Sequence, residues 1–316
     1  MKLFSKKVVA QNKSWMPLVR LCIALILLSF LVASTGIKPI LHNLLNINPL
    51  LAGALLLCNI LLFLTGAINV WLLLNVMHSI SFSTFIQAYS YSWMLSLLTP
   101  GQAGDISLLF FLKKYKVLLQ HTGIAYALDK ILTLVFFFFI AWYGSYNLIP
   151  ELKAIWFPIF SVGLILLPLI FIIKKKFHLT ISLTGKFQKI FNETRGEAKN
   201  FKEQKIVLIL NLILTVMKWL VLSLCYMMAF YAFGAHVEWP DIGVIPILST
   251  LVGYIPISVG GIGTVELTAT HLFSKVGVEQ SVVLSAYLLL RSMQYIMAII
   301  LLALFSSKNK LQKRAE

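Results

Sequence analysis

Charge is scarce in this sequence, and most of it has one sign. Of 316 residues only 12% are charged, where a soluble domain carries about 25%, and 27 Lys and Arg face just 11 Asp and Glu. A water-facing surface cannot be assembled from so few charges. Cysteine is rarer still: Cys22, Cys58 and Cys225 each lie inside an apolar run, with no CxxC or Cys/His spacing, so neither a disulfide framework nor a metal site is indicated. They read as small packing residues. There is no HExxH zinc helix and no Ser-containing GxSxG elbow. The short alternating segments of a barrel, with turns about every ten residues, are also missing. The first apolar run is about a full span long and no convincing small-residue cleavage site follows it, so it reads as a retained anchor rather than a signal peptide.

What the chain has in quantity is apolar length. Hydrophobic residues make up 59% of it, in runs near or above the roughly 20 residues a helix needs to cross hydrocarbon. In lipid the backbone must satisfy its own hydrogen bonds, which leaves helices as the spanning structure. The fold class expected is all-α, a polytopic transmembrane bundle. Six full spans are predicted near residues 16–35, 50–77, 121–145, 154–173, 206–233 and 280–305. The net charge of +16 is not a nucleic-acid signature, because the cations sit just outside apolar runs rather than among aromatics on a soluble face. They cluster at Lys2, Lys6, Lys7 and Lys13, at Lys113, Lys114 and Lys116, over residues 174–205, and at Lys308, Lys310, Lys313 and Arg314. The positive-inside tendency assigns all four clusters, and both termini, to the cytoplasmic side of the cell membrane. Opposing segments hold mainly Lys38, Glu151 with Lys153, and Glu238 with Asp241. Trp15, Trp142, Trp156 and Trp239 fall at span ends, as interfacial anchors do.

Two apolar stretches remain, each interrupted. Residues 79–112 are broken by Thr99-Pro100-Gly101-Gln102-Ala103-Gly104-Asp105, and residues 242–273 by Pro256-Ile257-Ser258-Val259-Gly260-Gly261-Ile262-Gly263-Thr264-Val265-Glu266. Proline removes a backbone donor and glycine frees the dihedrals, so each break ends one helix and lets another start within the bilayer. Each stretch is expected to be a re-entrant hairpin. The order span, span, hairpin, span then occurs twice, about eight membrane segments in all, within a single membrane domain. Halves 16–145 and 154–305 are joined by a short outer loop, and three crossings per half give them opposite orientation. Paired Gly/Pro-interrupted segments in inverted halves mark the transport site of secondary transporters. The basic connection 174–205 reads either as an amphipathic helix on the inner leaflet or as a solvated linker.

Candidate functional residues follow from the breaks and from charges inside spans. Pro100, Gly101, Gly104, Pro256, Gly260, Gly261 and Gly263 shape the breaks. Asp105 and Glu266 stand where a carboxylate can cap the amides of a new half-helix, or where those amides can hold an anionic headgroup. Glu266 also suits a proton carrier. Asp129, Lys130, Lys218 and Arg291 lie within spans, where an ionised residue costs roughly 2.5–3.5 kcal/mol on insertion scales and therefore faces a partner or a wet cavity. Asp129 follows Asp105 by 24 residues and Arg291 follows Glu266 by 25, so Asp129 and Arg291 are expected to pair across the halves or to bind a headgroup. Lys130 can instead snorkel and Lys218 satisfy carbonyls. Asp105 with Asp129 is conceivable as a protease-like dyad.

At these motifs the chain resembles the lysylphosphatidylglycerol synthase transmembrane family of flippase-like proteins. The resemblance is carried by residues 98–105, by Ala127-Leu128-Asp129-Lys130 and by residues 255–266, and it extends over nearly the whole chain. It departs at Gln102, where the family commonly has Arg, and at Val259, where it commonly has Pro. The family implies a lipid-translocating or lipid-carrier role in the cytoplasmic membrane; the headgroup expected here is that of an anionic phospholipid or an isoprenoid-linked lipid, and the residues themselves indicate no cofactor and no metal. Alternatives are the membrane part of an aminoacyl-phosphatidylglycerol synthase system, or a non-transporting subunit partnering a glycosyltransferase or other lipid-modifying enzyme. A homo-oligomer is a further possible assembly. Fused synthases of this kind carry a large soluble acyltransferase domain, while this sequence stops at Glu316, so aminoacyl transfer is not expected of the chain itself.

Overall fold

The structure, a computed structural model, describes residues 16–148 and 204–315. The predicted span 154–173, the outer connection and nearly all of the basic segment 174–205 lie outside the described residues. Those that are described form ten α-helices and one 3-10 turn. Helix α1 (Met16–Thr35) bends by 90° at Gly36 into α2 (Ile37–Leu45). Asn48 accepts from the amide of Leu50 at 2.9 Å and so caps α3 (Pro49–Asn75), with proline in the first turn where its missing donor costs nothing. Trp71 Nε1 donates to Ile80 O at 2.9 Å and Asn75 Oδ1 accepts from Ile80 N at 3.1 Å, which ties down the loop into α4 (Phe82–Leu98).

Helix α4 stops before Pro100, a 3-10 turn follows over Ala103–Ile106, and α5 (Ser107–Lys113) returns. Then come α6 (Leu119–Leu148), α7 (Lys205–Ala232), α8 (Trp239–Gly253), α9 (Thr264–Lys275) and α10 (Gln280–Ala315). Both predicted breaks are thus real interruptions of helix. Four helices, α3, α6, α7 and α10, contain stretches long and apolar enough to cross a membrane, and the bent α1–α2 pair makes a fifth candidate.

Polarity is arranged inside out. Leu25, Ile26, Phe30, Leu57, Ile131, Phe139, Ile213 and Ile299 are exposed, while Asn59, Asn69, Asp129, Asn211, Thr215, Ser249 and Glu266 are buried. An exposed apolar belt of this extent is what a lipid-facing surface requires and far exceeds the patches that soluble monomers tolerate. Helices α3 and α7 pack along each other at the centre, and Asn69 Nδ2 donates to Thr215 Oγ1 at 3.1 Å across that contact. Helices α6 and α10 flank the pair: α6 packs on α3, α7 and α8, and α10 on α7, α3 and α4. The largest apolar cluster gathers around Leu55, Phe230, Phe273 and Tyr287, and a second around Leu73, Phe85, Leu108 and Leu112.

Candidate functional site

The two breaks meet. Pro100 and Val259 form an isolated antiparallel bridge, and the amide of Gly260 donates to Thr99 O at 3.3 Å. Gly260 has φ of 57°, and a Cβ there would stand 2.4 Å from Leu97 O, so this approach of two backbones tolerates only glycine. Gly104 plays the matching part in the first hairpin: a Cβ on it would lie 2.3 Å from the Ser96 amide of α4. Pro256 packs against Gly101 across the junction.

From this junction each hairpin offers one carboxylate to a facing helix. Asp105 Oδ2 accepts from Tyr126 Oη at 2.7 Å and pairs with Lys130 Nζ at 3.1 Å. Glu266 Oε1 takes Arg291 Nε at 2.7 Å and Nη2 at 2.6 Å, while Arg291 Nη1 donates to Gly260 O at 3.0 Å. The two sets share a spacing. Tyr126 and Lys130 follow Asp105 by 21 and 25 residues, and Tyr287 and Arg291 follow Glu266 by the same 21 and 25. Tyrosine and cation are four residues apart in both sets and so share one helix face. The sets differ in closure: Tyr126 donates to Asp105, whereas Tyr287 makes no hydrogen bond to Glu266 and its ring packs on Tyr226 at 4.8 Å.

Several expectations are corrected here. Arg291 does not pair with Asp129; from α10 it reaches Glu266 of the second hairpin, while Asp129 is turned to Asn211. Asp129 is 4% exposed and accepts from Asn211 Nδ2 at 3.2 Å. Asn211 also donates to Asn69 O at 3.3 Å, so Asp129 belongs to the polar knot of α3, α6 and α7. Lys130 does not snorkel outward but turns to Asp105. Asp105 is no helix cap: it lies within the 3-10 turn and its carboxylate leaves the backbone for Tyr126 and Lys130. At the start of α9 three amides are already taken. The amide of Gly263 goes to Glu266 Oε2 at 2.7 Å, and those of Val265 and Leu267 go to backbone carbonyls. Asp105 and Asp129 share no hydrogen bond and serve different partners, so they do not form a proton-sharing dyad.

A cavity of about 290 Å³ lies between the hairpins and the central helices. Of the anticipated residues, Asp105, Gly260, Glu266 and Arg291 line it, with Pro100, Gly101, Gly104, Pro256, Gly261 and Gly263 in the junction that shapes it and Asp129 behind the wall. Sequence reasoning ranked Lys130 and Lys218 low, yet both line the cavity, as do Tyr89, Trp93, Gln102, Thr133 and Tyr254. For Lys130 the signal was present, since its separation from Asp105 equals that of Arg291 from Glu266. Among the described residues no three His, Cys, Asp or Glu side chains converge as a metal-ligand set.

The profile of a family described as the lysylphosphatidylglycerol synthase TM region matches residues 18–301, which takes in both breaks, both carboxylate–cation sets and the cavity. The chain belongs to that family. The match covers the membrane region and so agrees with the inside-out polarity and the long apolar helices described above. No curated protein matches the sequence. Family membership accounts for a multi-pass helical membrane protein. The cavity wall combines cations and carboxylates with tyrosine and tryptophan.

Proposed function

We propose that this protein moves a lipid between leaflets, with the charged headgroup passing through the cavity between the two broken hairpins and the acyl or isoprenoid chains remaining in the bilayer. The observation that carries this is the pair of carboxylate–cation sets, one from each hairpin, facing a single polar cavity inside an apolar belt. Buried ionisable groups in a membrane interior mark substrate pathways by default. The headgroup classes that fit are an anionic phospholipid and an isoprenoid-linked phosphate.

The same reading takes the chain as two inverted halves, 16–145 and 154–305, with eight membrane segments, cytoplasmic termini and the two breaks as re-entrant tips. Three observations support it. Asp105, Tyr126 and Lys130 map onto Glu266, Tyr287 and Arg291 by one shift of 161 residues. The same shift maps Thr99 onto Gly260, whose backbones bond to each other in an antiparallel bridge, as residues on a two-fold axis do. Contacts between helices are reciprocal as well: α6 packs on α8 as α10 packs on α4, and α3 on α6 as α7 on α10. Under an in-plane axis the cavity can open to either side by tilting one half against the other.

The test is leaflet exchange of a fluorescent phosphatidylglycerol in vesicles reconstituted with purified protein. Exchange well above that of protein-free vesicles is expected, with at least a tenfold loss in Asp105→Asn and Arg291→Ala. Exchange no faster than in protein-free vesicles, for phosphatidylglycerol and for isoprenoid phosphate alike, would refute the proposal. Lysyl-lipid formation by the purified chain would point instead to the synthase role carried by the family's description. Co-purification of a lipid-modifying enzyme with a chain inactive in exchange would point to a non-transporting subunit.

A further inference from the structure

We propose that Lys218 is the residue that receives the phosphate of a lipid headgroup in this cavity, an inference that rests on the headgroup reading above. The cavity wall carries three cations, Lys130, Lys218 and Arg291, against two carboxylates, Asp105 and Glu266. Two of those cations are already engaged, Lys130 by Asp105 and Arg291 by Glu266 with the Gly260 carbonyl. Lys218 has neither an ion pair nor a hydrogen bond to any described residue. Asp129 is the acid whose field it feels most, yet from beyond ion-pair distance, and that carboxylate stands behind the wall on Asn211. Lys218 is thus the cation on the cavity wall that no carboxylate contacts among the described residues.

An ammonium kept at membrane depth without a partner is costly, and an anion entering the cavity removes that cost. Lysine is suited to the task as a compact point charge on a flexible stem, able to follow a moving phosphate where a bidentate arginine would clamp it. Neutral donors stand on the same wall. Thr133, Thr250 and Tyr254 line the cavity and carry hydroxyl groups. One free cation with hydroxyl donors matches a phosphate ester and leaves a cationic ligand unfavoured.

The experiment measures binding to the purified full chain in detergent, using short-chain phosphatidylglycerol, the matching diacylglycerol without phosphate, and inorganic phosphate as competitor. Lys218→Gln is expected to weaken phosphatidylglycerol binding at least tenfold and leave diacylglycerol binding unchanged, while Lys218→Arg stays within about threefold of the wild type. Retention of the folded, monodisperse species by Lys218→Gln is checked by its unfolding temperature, and Lys218→Met, an apolar residue of similar length, carries the same test if Lys218→Gln is unstable. Undiminished phosphatidylglycerol binding by Lys218→Gln overturns the proposal, as does equal loss for both lipids. Displacement of the lipid by millimolar inorganic phosphate would assign the site to free phosphate and remove the lipid from the proposal; resistance to it supports the lipid. Phosphate-dependent binding in a protein that exchanges no lipid would defeat the translocation reading and leave the Lys218 site standing. Normal exchange with binding insensitive to Lys218 would do the reverse.

Discussion

Replacing Arg291 by leucine isolates the more buried of the two charge pairs. Glu266 is 1% exposed and Arg291 18%, and the guanidinium makes two bonds to Glu266 Oε1 and one to the Gly260 carbonyl. Removing one partner of a buried pair strands the other charge and costs about 3–5 kcal/mol. Lys130→Leu is the control. Its pair with Asp105 is more open, at 29% and 15% exposure, and Tyr126 still donates to Asp105 when the lysine is gone. A smaller loss, between the exposed-pair range and that of a fully buried pair, is expected there. Glu266→Gln added to Arg291→Leu removes the stranded charge while keeping an acceptor for the Gly263 amide, so the double variant should recover at least half the loss. Reversible unfolding in mixed micelles, followed by helical circular dichroism, gives all three values. Equal destabilisation by Arg291→Leu and Lys130→Leu, or a double variant worse than Arg291→Leu alone, would refute the account of this pair.

Other consequences are more local. Gly260→Ala should destabilise by several kcal/mol, because its Cβ would strike Leu97 O at a positive φ, whereas Gly53→Ala on α3, with open space around it, should be neutral or gain roughly 0.5–1 kcal/mol in the same unfolding assay. Gly144→Ala would put a Cβ 2.0 Å from Val244 Cγ1 and push α6 from α8; a lower unfolding temperature is expected, recovered only in part by adding Val244→Ala, whose Cβ would still stand 2.8 Å away. Asn211→Leu leaves Asp129 without its donor and should cost about 1–3 kcal/mol, while Asp129→Asn, which keeps an oxygen facing Asn211, should be tolerated.

Much of the fold was legible because it is written in run length. The spans predicted at 16–35, 50–77, 121–145, 206–233 and 280–305 fall on α1, α3, α6, α7 and α10 to within a few residues at most ends, although α10 continues through polar sequence to Ala315. Hydropathy does not carry the sharp bend at Gly36, where an apolar run turns into a second helix instead of simply ending. Proline and glycine at residues 99–105 and 256–263 located both interruptions, since backbone chemistry there is independent of tertiary context. That the two interruptions bond to each other was not legible, because it depends on how the halves pack. The site was half legible for the same reason. Charge inside a span marks a residue as important but does not choose its partner, and a one-residue difference between Asp129 and Lys130 rotates a side chain by about 100° around a helix. Asp129 therefore points into the polar knot with Asn211 while Lys130 meets Asp105. The role of Lys218 was hidden because an unpaired cation is recognised only once its surroundings are known.

The central claim is that a wet, cationic cavity sits between the two breaks inside the apolar belt. With Cys22, Cys58 and Cys225 replaced, single cysteines at Thr250 and Gln294, which line the cavity, and at Ile213, which is exposed on the apolar exterior, can be tested in sealed vesicles with impermeant methanethiosulfonates. The account predicts that Thr250→Cys and Gln294→Cys react, faster with the anionic sulfonatoethyl reagent than with the cationic trimethylammonium one, while Ile213→Cys stays protected by lipid. Cavity cysteines as unreactive as Ile213→Cys, or a preference for the cationic reagent, would contradict it.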